Sequence, residues 1–380
     1  MSKQNAKILL MCTAATLAFG LYGLVAITFM VLLSRQIVGK DSQDKHGINR
    51  SESSRLGGLA ITLLVVTYMA GLTILTPFIP TIVHSEIDLG VWLVVLVCTA
   101  LGLTEDFSTD FLTPFLRLFV IFIAFGFFYW QWPEAIPKSI GVPLLDHAFG
   151  VPALAWCVSV LFCVGFINAF NMSDGANGLI PGIAVIWALI FYLENGLPIE
   201  AVLLFSIAIF LILNVISGWF FLGDAGSYGI GSLVALTGLR GVADGDFSAW
   251  FMASLLVYPC VDFIVSFLRR LRGGRSPFMP DNDHLHNWLH RYFSSRIRSR
   301  VMANSLTGLS ISIGTSGLVF LIYVQGWWAI TSHQSPVGLC VWFAMSCLCG
   351  PASGAQSIWL FSMIKYCVQL ASIRFSGRLR

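Results

Sequence analysis

The sequence predicts an all-α integral membrane protein, built as a single bundle of about eleven transmembrane helices. Of its 380 residues, 57% are hydrophobic and only 11% are charged, whereas charged residues make up about 25% of a typical soluble domain. The apolar residues also fall in runs close to the roughly 20 residues that a helix needs to cross a bilayer. This composition excludes a soluble globule, a disordered chain and a nucleic-acid-binding protein. The net charge of +3 is too small to indicate an anionic macromolecular partner by itself.

Eleven apolar segments are candidates for spanning helices. They are 8–33, 57–83, 89–103, 115–132, 151–167, 179–193, 201–221, 229–239, 250–268, 302–324 and 337–363. The first is much longer than the roughly 7–15 apolar residues of a signal peptide, so we expect it to be retained as a helix. No internal repeat or change of composition divides the chain, which predicts one domain over residues 1–380.

The distribution of Lys and Arg predicts the orientation of the bundle. If the segment 34–56 is cytoplasmic and the spans alternate, 18 of the 22 Lys and Arg residues lie on the cytoplasmic side, where membrane proteins concentrate positive charge. This predicts an N-terminus outside and a C-terminus in the cytoplasm. The compact polar motifs lie in segments of that same side, so we expect function there. These segments are 34–56, 104–117, 168–179, 221–231 and 269–300.

The first motif follows the fifth span. Asn168, Asn171 and Asp174 are spaced by three residues, which keeps them on one side of a continuing helix. Two amides and a carboxylate can hold a metal ion and a polar ligand, and Gly175 and Gly178 allow the backbone to approach an anion. The alternative is a capped turn between two helices.

The second motif, at the end of the seventh span, places Asp224 between glycines, with Gly226 and Ser227 following. Hard oxygen ligands beside an exposed backbone suit Mg²⁺ and a diphosphate. Glycine also serves close helix packing in membranes, which is the alternative.

The third motif pairs Glu105 with Asp106, followed by Asp110 and Arg117. Adjacent carboxylates repel each other unless a cation or a proton lies between them, and a divalent metal is the natural partner. The alternative is a solvated acidic turn.

The fourth motif combines arginines with histidines. Its members are Arg269, Arg270, Arg272, Arg275, Asp281, His284, His286 and His290. Guanidinium and imidazole N–H groups bind phosphate oxygens. One alternative is that the arginines supply positive charge without binding a ligand. Another is a zinc site formed by the three histidines, although the segment lacks the H-E-x-x-H pattern of many zinc sites.

Two further residues have open interpretations. Asp262 lies inside the ninth span, where an acid should be paired, either with Arg269 or with a ligand. Arg55 opens the second span before Gly57 and Gly58 and either contacts a phosphate or extends to the membrane interface.

Together the four motifs, in this order, resemble the polyprenyl-phosphate N-acetylhexosamine-1-phosphate transferases. This is glycosyltransferase family 4, of the phospho-MurNAc-pentapeptide transferase superfamily. The resemblance extends from Arg55 to Arg291, and the run from Arg275 to His286 is similar to the UDP-N-acetylglucosamine branch.

The resemblance implies roles for individual residues. Asp224 and Asp106 would hold the metal, and Glu105, Asp106, Asp174 and Asp224 would form the catalytic centre. Substrate binding is implied for Arg55, Asn168, Asn171, Asn177, Gly226, Ser227, Arg275, Asp281, His284 and His286. Three residues depart from the family pattern: Glu105 replaces an Asp, Asn177 replaces a frequent Asp, and Asn287 replaces a frequent His.

The resemblance also implies a reaction. Sugar-1-phosphate, most simply N-acetylglucosamine-1-phosphate, passes from a UDP-sugar to undecaprenyl phosphate, UMP leaves, and O-antigen or another surface polysaccharide is begun. The expected cofactor is Mg²⁺, with Mn²⁺ as an alternative. The expected location is the bacterial cytoplasmic membrane. The expected partners are the two substrates and the membrane, with a homodimer left open.

Three rival functions remain at this point. A transporter or flippase of lipid-linked sugars predicts ionisable residues near the middle of the bilayer, but here the acids lie mainly at one face. A CDP-alcohol phosphotransferase predicts a different continuation after Asp174 and Gly175. An inactive assembly protein would be consistent with the three departures.

Overall fold

Helices form nearly all of the structure in the computed structural model, which describes residues 3–36, 40–41, 53–75, 86–108, 111–274 and 283–326. In chain order they are α1 (Lys3–Ser34), α2 (Gly57–Leu75), α3 (Glu86–Phe107), α4 (Pro114–Gln131), α5 (Pro143–Phe149), α6 (Pro152–Ser173), α7 (Ile180–Asn195), α8 (Pro198–Ser217), α9 (Gly223–Asp244), α10 (Ala249–Leu255), α11 (Val257–Arg272), α12 (Leu285–Ser294), α13 (Arg300–Ser312) and α14 (Leu318–Val324). A 3₁₀ turn (Pro133–Ala135), a π-helical turn (Ile313–Gly317) and two short strands, β1 (Lys40–Asp41) and β2 (Ser53–Ser54), complete the described elements.

The prediction of a helical, multi-pass membrane protein is confirmed. In the described ranges, six helices are long and apolar enough to cross a membrane, or seven if the bent pair α10–α11 is one span. Every predicted span up to residue 324 contains a helix. The eleventh, at 337–363, lies outside the described residues, so the count of eleven and the orientation stay predictions.

The ninth predicted span is not one straight helix. α10 and α11 meet at 78°, because Pro259 has no N–H to donate to the carbonyl of Leu255 and its ring crowds that carbonyl. The Ser316 hydroxyl, on the π-helical turn, donates to the Leu255 carbonyl instead. The bend therefore has a defined cause and a defined partner.

The first predicted span also differs from expectation. Gly20 has φ 60°, and a Cβ built on Gly23 would overlap the carbonyl oxygen of Ala15. Residues eight apart in a continuous helix are about 12 Å apart, so α1 folds back on itself at Gly20.

The fold-back determines where α1 begins. Lys7 lies 5.9 Å from the ring centre of Trp219, beside the connection between α8 and α9. The structure therefore places the start of α1 at the end of the bundle that carries the predicted cytoplasmic motifs. By length and composition Asn5–Ser34 is still a candidate span, and the side on which the N-terminus lies stays a prediction.

The central helix of the bundle is α9, which packs against α2, α3 and α6. The sequence predicted only a short span at 229–239, since α9 is rich in small residues. These residues allow its neighbours to approach closely. A Cβ on Gly58 of α2 would overlap the backbone of Gly226, and a Cβ on Gly102 of α3 would overlap that of Asp224.

We expect Gly58→Ala to lower the free energy of unfolding by about 1–3 kcal/mol or more, because the added methyl group overlaps backbone that cannot move aside. Thermal unfolding of the purified protein in detergent measures this. The matched control is Gly71→Ala on the same helix, where nothing lies within 4 Å of the added Cβ. It should be neutral or stabilising by up to about 1 kcal/mol. Equal effects of the two substitutions would contradict the packing described for α9.

Candidate active site

The predicted motifs come together at one end of the bundle. The carboxyl-terminal ends of α3 and α6 and the amino-terminal end of α9 meet there, and they bring Asp106, Asp174 and Asp224 into one electrostatically coupled group. The expectation that these three acids converge from separate segments is met by the geometry. Their individual roles stay predictions.

Asp106 holds the first turn of α9. Its Oδ1 accepts the backbone N–H of Asp224 and its Oδ2 accepts that of Ala225, each at 2.9 Å. These N–H groups are ones that a helix cannot satisfy internally. Gly223 makes this possible: its φ is 73°, and a Cβ there would lie within 2.8 Å of both Asp106 oxygens. The Asp106 carboxylate therefore determines where Asp224 begins its helix.

Asn171 holds the side chain of Asp224. Its Nδ2 donates to Asp224 Oδ1 at 2.8 Å and to Ser227 Oγ at 2.9 Å. The Ser227 hydroxyl in turn donates to the carbonyl of Gly223 at 2.8 Å. Ser227 is fully buried, so it braces the first turn of α9.

Asp174 ends α6 and lies beside the other two acids. Burial, together with the negative charges of Asp224 and Asp106, raises the pKa of Asp174 to about 7. Its carboxylate is therefore strained electrostatically when ionised, and a cation between the acids would relieve this repulsion. In the described part of the chain, no three His, Cys, Asp or Glu side chains form a ready-made metal site. The oxygen ligands nevertheless suit Mg²⁺, which commonly takes one or two carboxylates and completes its shell with water and phosphate.

Arg55 reaches the site along an extended segment. Ser54 pairs with Phe220, and the N–H groups of Gly57 and Gly58 donate to the carbonyls of Phe221 and Leu222. This pairing places the backbone of Arg55 beside Gly223. The positive charge of Arg55 is close enough to stabilise the Asp106 carboxylate. Arg55 thus adds a cation next to the acidic group.

Two predicted residues have other partners. Glu105 Oε1 accepts the N–H of Leu112 at 2.8 Å, and its Oε2 lies 3.6 Å from the Arg117 guanidinium, so it organises the turn after α3. Asn168 donates to the carbonyl of Val164 in its own helix at 2.7 Å. The described bonds of both residues lie away from Asp224.

Asn177 and Gly226 serve packing in the structure. Asn177 is buried, donates to Ser305 Oγ at 3.4 Å, and its Oδ1 has no hydrogen-bond partner in the described residues. Gly226 lies against the backbone of Gly58. Arg275 and Asp281 lie outside the described residues.

The histidines pack against the same loop. His286 is buried, its Nδ1 is hydrogen-bonded to the hydroxyl of Tyr258 at 3.0 Å, and its ring occupies the space that a Cβ on Gly175 would take. Burial lowers the pKa of His286 to about 4, so this ring is neutral at neutral pH. His284 bonds to Asp262 at 2.7 Å. Of the two partners considered for Asp262, Arg269 is not the one observed, because the bond is to a histidine; a ligand role for Asp262 stays a prediction.

Sequence reasoning missed Asn214, which joins two parts of the site. Its Oδ1 accepts the N–H of Gly178 at 2.7 Å, and its Nδ2 donates to the carbonyl of Phe220 at 2.9 Å. The loop after α6 is thereby tied to the segment before α9. The available signal was an amide inside an apolar run near the end of α8, since polar groups in a membrane are costly and usually have a role.

An apolar cavity of about 260 Å³ lies beside the acids. It is lined by α2 and α3, including Met69, Trp92 and Leu96, and it reaches Ala225 and Gly226 in the first turn of α9. The cavity therefore extends along these apolar helices to the backbone next to Asp224.

Comparison with known proteins agrees with this arrangement. A sequence profile described as Glycosyl transferase family 4 matches residues 88–242, which include the three clustered acids and Asn171.

Three relatives have similar sequences. The undecaprenyl-phosphate alpha-N-acetylglucosaminyl 1-phosphate transferase of Thermotoga maritima is 33% identical over 35% of this chain and 42% of its own. The enzyme of the same name from Yersinia pestis is 30% identical over 46% and 52%. The decaprenyl-phosphate N-acetylglucosaminephosphotransferase of Mycobacterium leprae is 24% identical over 81% and 82%. The chain thus matches about half or less of the first two relatives and most of the third.

The matched region contains the acids that converge at the end of the bundle, and the resemblance seen in the motifs is supported: residues 88–242 of this chain match glycosyl transferase family 4.

Proposed function

We propose that this chain transfers an N-acetylhexosamine-1-phosphate, most simply that of N-acetylglucosamine, from a UDP-sugar to a polyprenyl phosphate and releases UMP. The observation that carries the proposal is the convergence of Asp106, Asp174 and Asp224 with Asn171 at one end of a membrane bundle. The relatives' names, which specify undecaprenyl- or decaprenyl-phosphate acceptors, support the choice of acceptor class.

In this reaction an oxygen of the lipid phosphate attacks the β-phosphorus of the UDP-sugar. A P–O bond forms, the bond between the β-phosphorus and the bridging oxygen breaks, and UMP leaves with that oxygen. A phosphate monoester has a second pKa near 6, so the nucleophile is already largely ionised at neutral pH. The protein's main task is to bring two polyanions together and to offset their charge.

The acids fit a divalent cation. Asp224, with Asp174 beside it, would hold Mg²⁺ directly, and Mn²⁺ has similar preferences. When bound, the ion would neutralise charge on the diphosphate. Because both Asp106 oxygens accept N–H groups of α9, we assign Asp106 first to fixing Asp224 and only second to the metal.

Other parts of the site would orient the acids and bind the substrates. Asn171 orients the Asp224 carboxylate. Arg55 supplies positive charge beside the acids, where it would bind a phosphate. The apolar cavity that reaches Gly226 gives an isoprenoid chain a place next to the site. We place this face in the cytoplasm, where UDP-sugars are made, and we place the bundle in the bacterial cytoplasmic membrane. The lipid-linked product would begin O-antigen or another surface polysaccharide.

Purified protein should release UMP when supplied with Mg²⁺, undecaprenyl phosphate and one member of a panel of UDP-N-acetylhexosamines, and should form the matching lipid-linked product. Thin-layer chromatography and UMP quantification measure this. Asp224→Asn should lower kcat at least about 100-fold, because charge stabilisation at the reacting phosphate is lost. Absence of UMP with every donor, or full activity of Asp224→Asn, would contradict the proposal. A flippase would move the finished lipid without releasing UMP.

Chelation should abolish the activity. Dialysis against EDTA removes a divalent ion that the buried acids would bind only through oxygen, and added Mg²⁺ should restore turnover. A titration with Mn²⁺ in the same assay compares the two metals. Activity that survives complete chelation would show that the acids act without a metal.

Asn171→Ala should lower activity about 10- to 100-fold, as expected when the partner of a metal-binding carboxylate is removed. The matched control is Asn168→Ala, one turn earlier on α6, whose described bond stays within its own helix. It should stay within about threefold of wild type, since changes away from the site have small effects. If Asn168→Ala were the more damaging change, substrate contact by Asn168, as the resemblance implies, would explain the result better.

A further inference from the structure

A buried acid–histidine pair lies at the edge of the proposed active site. Asp262 Oδ2 and His284 Nδ1 are 2.7 Å apart, and the two residues are 3% and 6% exposed. Asp262 comes from the membrane part of α11, and His284 precedes α12. The pair therefore ties the histidine segment to a spanning helix.

The chemistry of the pair determines which ring nitrogen carries hydrogen. An ionised carboxylate only accepts hydrogen bonds, so His284 must donate from Nδ1. Its Nε2, on the opposite side of the ring, is then the atom that can meet a substrate.

The neighbouring histidine has the opposite environment. The rings of His284 and His286 are stacked, with centres 5.2 Å apart and planes 8° apart, but His286 is bonded to the neutral hydroxyl of Tyr258. Two stacked cations would repel each other, and only His284 has a carboxylate partner in the described residues. The two histidines can therefore have different roles: the His286 ring packs on Gly175, and the His284 ring is held by a carboxylate.

We propose that Asp262 is a positioning residue that holds His284 with Nδ1–H towards the carboxylate and Nε2 available to the diphosphate of the sugar-nucleotide. This inference rests on the proposed function for the identity of the ligand. It assigns Asp262 to the active site through His284, although Asp262 lies within a spanning segment and does not belong to the acidic group around Asp224.

The test compares Asp262→Asn with two other variants. Asp262→Asn keeps the shape but removes the charge, so the KM for the UDP-sugar should rise about 10- to 100-fold, the range expected when a charge-assisted hydrogen bond is lost, while kcat should change less. Asp262→Glu should restore part of the loss. Ser266→Ala is the matched control: the Ser266 hydroxyl lies 3.3 Å from the same Nδ1 but is uncharged, so the KM should stay within about threefold.

A double-mutant cycle separates a positioning role from an independent one. If Asp262 acts through His284, Asp262→Asn should add no further loss in a His284→Gln background. Additive losses, or an unchanged KM in folded Asp262→Asn, would overturn the proposal. If Asp262→Asn does not fold, Asp262→Glu, which displaces the carboxylate, decides the same question, and an unchanged KM would again overturn it.

A spectroscopic measurement keeps this proposal distinct from the proposed function. In protein labelled with [¹⁵N]histidine, the signals that disappear in His284→Gln belong to His284. They should show a protonated Nδ1, and Asp262→Asn should shift them. An unprotonated His284 Nδ1 would overturn the proposal even if UMP release is confirmed. The expected pattern would support it even if no donor is accepted.

Discussion

The bond between the Asp106 carboxylate and the first two N–H groups of α9 is the interaction on which the rest of the site depends. It sets the position of Asp224, and Asn171 then sets the direction of its side chain. The bond is possible only because α2, α3 and α9 approach each other at glycines. A side chain on Gly58, Gly102 or Gly223 would occupy space that backbone already fills. The geometry of the acidic site therefore depends on close helix packing at these glycines.

The charges at this end of the bundle indicate what the acids could bind. Burial, and then the negative charges of the two neighbouring acids, raise the pKa of Asp174, so three ionised carboxylates are costly here unless a cation joins them. Arg55 offsets part of the charge near Asp106. Under the proposed function, Asp224 and Asp174 would hold a divalent cation, which would offset the charge of the acids and of the phosphates.

The histidine segment is attached through a separate arrangement. The 78° bend between α10 and α11 follows from Pro259, and the carbonyl freed there is satisfied by Ser316. α11 then carries Asp262 and Tyr258, each bonded to one of the two stacked histidines. Residues within the membrane thus position groups outside it.

The class of the protein, its helical segments and the motifs that carry charge could all be predicted from the sequence, because apolar run length and the cost of burying polar groups are local properties. It also predicted Asp106, Asp174 and Asp224 as one group. Which residues contact one another became visible in the fold. Asp106 caps a helix 118 residues away, Asp262 pairs with His284 and not with Arg269, and Asn214 joins two loops. The fold-back of α1 at Gly20 and the bend before Pro259 were likewise missed. Such contacts depend on how closely helices approach and on the direction in which each side chain points, and periodicity along the chain carries neither kind of information.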